Sequence, residues 1–205
     1  MNFKHILLRL LYCLLGWGTV GIIYQFTGEI DENATLLAPS WVDNAIPYNV
    51  EAIWLYLSFF VFIPLGYLCS SLSQAPRLMF AMQLCALISG VIYLFFPTTM
   101  SYPPIECLSL AGHALCHLMS IDSPQNLLPS LHVSLTLVVL NALWSSQQII
   151  RTTIYLLWAI AICASVLILK RHLFIDVVTG ALTAISVLYI VRFAQPAVCL
   201  WRKAK

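Results

Sequence analysis

Six stretches of the chain are apolar for most of their length, and polar residues gather in the gaps between them. They run Ile6–Phe26, Val50–Ser70, Leu78–Phe96, Leu128–Trp144, Thr152–Leu169 and Leu173–Phe193. An α-helix needs about 20 mostly apolar residues to cross the ~30 Å hydrocarbon core of a bilayer. The pattern predicts an all-α, polytopic membrane protein: a single membrane domain, residues 1–205, built as a six-transmembrane-helix bundle. The fourth stretch is the shortest and opens on a polar motif. The last two are parted only by a charged segment around Lys170 and Arg171. No small-residue cleavage site follows the first stretch, which reads as a retained helix and not as a signal peptide.

Composition agrees. The chain is 61% hydrophobic and 9% charged, against roughly 45–50% and 25% in soluble domains. Lipid must therefore be the solvent for much of the surface. The net charge of +2, without a basic patch, excludes a nucleic-acid partner. The charges sort by connection. Lys4, Arg9, Arg77, Arg151, Arg192, Arg202, Lys203 and Lys205 fall at the termini and in the second and fourth connections. Glu29, Asp31, Glu32, Asp43, Glu51, Glu106 and Asp122 fall in the first and third. Lys and Arg concentrate on the cytoplasmic side, so both termini are expected there. Lys170, Arg171 and Asp176 break the rule, lying at the outer ends of the last two spans. Ionisable groups near hydrocarbon are costly, and this makes them functional candidates.

Two segments carry the candidate chemistry: Pro129-Ser130-Leu131-His132-Val133-Ser134, and Lys170-Arg171-His172-Leu173-Phe174-Ile175-Asp176. Both start spans at the outer face, so they can meet. His172 and Asp176, spaced i and i+4, share one helix face. A carboxylate on one ring nitrogen fixes the tautomer and raises the basicity of the other. His172 is then a nucleophile toward phosphorus, and His132 a general acid for the leaving oxygen. Lys170 and Arg171 offer positive charge to a phosphate. Ser130 and the first N–H groups of the fourth span add donors. Each part also has a plain reading. A His can cap a helix, Lys and Arg can snorkel to headgroups, and Ser130 can simply start a helix.

Pro129-Ser130-Leu131-His132 resembles the second motif of the type 2 phosphatidic acid phosphatase superfamily, commonly PSGH. Lys170-Arg171-His172 through Asp176, followed by Val177-Val178-Thr179-Gly180, resembles its third motif, HxxxD with a small-residue stretch behind it. Leu131 in the place of Gly, and Lys two residues before His172, resemble the branch with sphingomyelin synthases, inositolphosphoceramide synthases and related bacterial membrane proteins. The likeness spans about residues 50–195. It implies a metal-independent, cofactor-free enzyme that hydrolyses a phosphate ester or anhydride of a membrane lipid at the outer leaflet, through a phospho-histidine intermediate. It assigns His172 as nucleophile, Asp176 as its orienting group, His132 as acid–base partner, and Ser130 and Lys170 as phosphate binders. A phosphotransferase moving a headgroup to an alcohol would share the covalent step. Two positions depart from the family pattern. Ser165-Val166 stands where Ser-Arg is usual, and Tyr102, before Pro103, stands where the first motif has Arg and is with Arg171 a substrate-binding candidate. Arg171 can make up for one missing cation.

The implied setting is a bacterial cytoplasmic (inner) membrane with the site facing the periplasm. A non-catalytic lipid-binding homologue is the rival from another class. A transporter would show an inverted repeat, and none is visible. Among the remaining features, Cys107 and Cys116 share a connection and can pair in an oxidising compartment. His113 and His117 flank Cys116 at i, i+4 and suit a lid better than a metal site. Residues 27–49 carry apolar pieces that suit the membrane surface, and Asn33-Ala34-Thr35 fits the glycosylation sequon. Gly16, Gly18 and Gly21 would let the first helix pack closely.

Overall fold

A computed structural model of the chain describes residues 3–28 and 34–203, with side chains through residue 193. Glu29, Asp31, Glu32 and the sequon's Asn33 lie outside the described residues. So does Lys205, and so do the side chains of Cys199, Arg202 and Lys203.

The chain is mostly helical, and five helical stretches are long and apolar enough to cross a membrane. They are α1 (Phe3–Phe26), the broken stretch Val50–Cys69, α5 (Ala75–Phe95), α8 (Ile149–Ile168) and the first part of α9 (Phe174–Lys203). The broken stretch is a 3-10 turn at Val50–Ala52, then α3 (Ile53–Leu57) and α4 (Phe59–Cys69). Between α1 and α3 lies a short surface helix, α2 (Trp41–Ala45). Two more helices are short: α6 (Leu110–Ile121) and α7 (Leu131–Leu143). The expected fourth span is thus helical over only 13 residues, or ~20 Å at 1.5 Å per residue. Pro129 has no N–H to donate, and Ser130 caps the helix by accepting from Val133 N–H. The preceding residues therefore run as irregular backbone.

A short helix can sit at membrane depth when protein surrounds it. Nine of the 13 residues of α7 are buried, and α4, α5, α8 and α9 all pack against it. A helix apolar on all sides belongs in the middle of a bundle. Its Val139 belongs to the main core together with Phe62, Ile63, Tyr67, Met82 and Cys85. The outer faces of the long helices carry Leu14, Ile22, Phe80, Leu157 and Ile185, all exposed. A continuous apolar exterior of this kind needs lipid.

The odd-numbered connections meet at one end of the bundle. A two-residue strand, β1 (Thr35–Leu36), pairs in parallel with β2 (Thr98–Thr99), and Asn126 bridges Thr98. Asn49 N–H donates to the Ile168 carbonyl. Residues 34–49, 97–130 and 169–173 therefore lie together, and 70–74 and 144–148 turn at the far end. Cys107 and Cys116 form a disulfide that ties the turn before α6 to the helix itself. His113 bonds the Ser109 carbonyl, closing the start of α6. Of the three glycines expected to bring α1 close to a neighbour, only Gly16 does so, against Tyr67 and Met79. Gly18 and Gly21 face open space, where lipid replaces the expected helix.

Candidate functional site

Three residues, Leu169, Lys170 and Arg171, reverse the chain between α8 and His172, and this turn aims the site. Arg171 N–H donates to the Val166 carbonyl (3.0 Å) and Lys170 N–H to the Leu167 carbonyl (3.1 Å). These two bonds form a Schellman turn, with Lys170 in the left-handed position usually held by Gly. Its φ is 54°. A side chain costs roughly 1 kcal/mol there. Against that cost, Lys170 Nζ donates to the carbonyls of Asp43 and Ile46, at the C-terminal end of α2. Lys170→Gly should therefore be more stable than Lys170→Ala by ~1 kcal/mol. Both lose the same two bonds, and only Ala keeps the backbone cost. Equal melting temperatures for the two in detergent would contradict this.

Asp43 returns the contact. Its carboxylate closes a capping box with Ser40 and accepts from Phe174 N–H (2.7 Å) at the start of α9. Burial pushes the Asp43 carboxyl up, but the bonds from Ser40 and Phe174 and the charge of Lys170 outweigh it and hold the group below the usual carboxylate range. The first outer loop is thus strapped across the 170–176 segment. As placed, Lys170 serves this strap, whereas the sequence reading gave it to a phosphate.

His172, Arg171 and Asp176 are buried beneath the strap. His172 Nδ1 lies 3.4 Å from Asp176 Oδ2, longer than a hydrogen bond. That oxygen already accepts from Leu173 N–H (2.8 Å). The pairing expected from the i, i+4 spacing is therefore approached and not closed. Catalytic bonds are often long in ligand-free structures. His132 comes from the first turn of α7, its ring centroid 6.1 Å from that of His172. Tyr56 and Phe59 pack against the His132 ring at 4.3 and 4.4 Å. Ser130 N–H donates to the Asp176 carbonyl (3.1 Å), which joins the two motifs through backbone. Gly180 makes the approach possible. A Cβ there would come within 2.5 Å of the Ser130 carbonyl oxygen, too close for any side chain.

Arg171 has a partner that sequence reasoning missed. Its guanidinium, buried, bonds the part-buried Asp122 at 2.7 Å, and Tyr24 O–H donates to the same carboxylate. Asp122 follows α6 directly. In the sequence it is one more loop acid, and nothing marks it as the mate of a residue 49 positions away. Tyr102 lies under Arg171, its ring centroid 4.7 Å from the guanidinium carbon, and its O–H donates to the Pro124 carbonyl (2.9 Å). Burial pushes this hydroxyl up to about 12, although Arg171 pulls it down, so it stays a donor. Tyr102 thus props Arg171.

Four buried polar atoms here find no partner: His132 Nε2, His172 Nδ1, Asp176 Oδ1 and Arg171 Nε. Native structures leave few such atoms, and each calls for a ligand, water or ion. The Leu131 and His132 N–H groups, first in α7, have no carbonyl within their own helix to bond. The set can accept, donate and shuttle protons around one small anion. No three His, Cys, Asp or Glu side chains among the described residues group as a metal site. Comparisons with protein-family models, with curated proteins and with solved structures find no match to this chain.

Proposed function

We propose that the chain is a membrane-embedded lipid phosphatase that works through a phospho-histidine intermediate. The observation that carries this reading is the grouping of His132 Nε2, His172 Nδ1, Asp176 Oδ1 and Arg171 Nε, buried and unpartnered, at two neighbouring helix starts. In the first step His172 Nε2 attacks phosphorus, the P–O bond to the lipid breaks, and the leaving oxygen takes a proton from His132. In the second, water attacks phosphorus and gives a proton to His132. The P–N bond breaks, phosphate leaves and His172 is restored. Asp176 lies beside Nδ1 and stabilises the positive charge that the ring gains on phosphorylation. Arg171 and the first N–H groups of α7 face the phosphate oxygens, where fixed donors act most strongly. Phosphoryl transfer needs little more than such positioning and charge.

The reading takes α7 as the fourth of six spans. It places both termini in the cytoplasm and the histidines at the outer face, in a bacterial inner membrane facing the periplasm. The test is phosphate release by the purified full chain in detergent from phosphatidate, phosphatidylglycerol phosphate and an isoprenoid pyrophosphate. Release from at least one is expected. If none is cleaved, with water or with an added lipid alcohol as acceptor, the enzyme reading fails and a lipid-binding protein on the same frame replaces it.

A further inference from the structure

A cleft of ≈ 500 Å³ opens at the far end of the bundle, between α5, α7 and α9. It is lined by Arg77, Arg192, Gln74 and Asn141, above apolar Ile185 and Tyr189. The volume is in the range of small-ligand sites. Its charge is one-sided. Every described acid (Asp43, Glu51, Glu106, Asp122 and Asp176) belongs to the histidine end or the connections gathered there. Among the described residues neither guanidinium has a carboxylate partner, since the one Arg–carboxylate pair is Arg171 with Asp122. Two cations and two amide side chains thus face one cavity with no anion among the described residues. Below them Ile185 and Tyr189 are 61% and 65% exposed, so the cleft opens sideways onto the apolar surface of α9.

We propose that this cleft binds one anionic phospholipid from the leaflet opposite the histidine site. The headgroup phosphate sits between Arg77 and Arg192, where guanidinium forks suit phosphate oxygens. The glycerol oxygens meet Gln74 and Asn141, and the acyl chains follow Ile185 down α9. A free soluble anion would have no use for that apolar side opening, and a zwitterionic lipid would bring its own cation to a site that already holds two. This site is independent of the phosphatase reading, since it shares no residue with it.

The test is native mass spectrometry of the full chain in detergent with added phosphatidylglycerol or phosphatidylcholine. One phosphatidylglycerol should be retained in preference to phosphatidylcholine. Affinity should fall about fivefold for each of Arg77→Gln and Arg192→Gln. Arg151→Gln, which removes a cation from the same end outside the cleft, should change nothing. Equal retention of the two lipids would overturn the proposal. So would an equal loss in the Arg151 variant, which would mean diffuse surface attraction, or displacement of the lipid by millimolar inorganic phosphate, which would mean a soluble-anion site. The single variants are measured separately, each checked for the wild-type elution volume, so that misfolding of one leaves the other to decide.

Discussion

His132→Ala should slow phosphate release from an alkyl phosphate by 10²- to 10⁴-fold, the usual contribution of a positioned general acid. The same variant should lose far less on an aryl phosphate. An aryl oxide leaves without a proton, so the acid has little left to contribute. His172→Ala should abolish release from both, because no bond to phosphorus then forms. The contrast separates the two rings, which lie only 6.1 Å apart between centroids and would be equally plausible nucleophiles from position alone. What distinguishes them is company. His172 has Asp176 beside Nδ1, while His132 rests on Tyr56 and Phe59. A His172 variant that keeps its rate on the aryl substrate, or a His132 variant equally slow on both, would reverse or remove these roles.

Arg171→Ala should cost ~3–5 kcal/mol of stability, the typical result of stripping one member from a buried ion pair. Asp122 would keep only the hydrogen bond from Tyr24. Its charge, 12% exposed in the pair, would face a medium that solvates it poorly. Tyr102 would also lose the cation above its ring. Replacing Arg171 and Asp122 together should cost less than the sum of the single changes, since the double variant leaves no orphaned charge. The measurement is a double-mutant cycle on unfolding in detergent. Additive costs would show that the two charges do not depend on each other. Stability is the readout because Arg171 also belongs to the proposed phosphate site, where activity would mix both effects.

Much of this architecture can be read from the sequence, for a physical reason. A span must be apolar along its whole length, so Ala75–Phe95 and Ile149–Ile168 each fall within three residues of the stretches expected at either end. The motifs around His132 and His172 are legible too, because their residues are neighbours in the chain. What stays hidden depends on where a distant segment lands. The bonds of Lys170 to the carbonyls of Asp43 and Ile46 depend on where residues 40–46 land. That Arg171 lies over the Tyr102 ring shows only in the fold. Asp122 shows nothing at all. The fourth span is overestimated because Leu127 and Leu128 extend the apolar run, while Pro129 and Ser130 set where helix can begin.

The shortness of α7 bears on how the protein enters its membrane. A segment is handed to lipid when its own hydrophobicity outweighs the cost of leaving the aqueous channel. Thirteen residues opening with Leu-His-Val-Ser are poorly suited to that decision alone. Its stable surroundings are α4, α5, α8 and α9, and two of these are synthesised after it. On the proposed six-span reading, α7 has to wait for α8 and enter as the first arm of a hairpin turning at residues 144–148. His132 reaches its depth only when later-made helices close around it. Until residues 170–176 are made, the nascent chain holds His132 without His172.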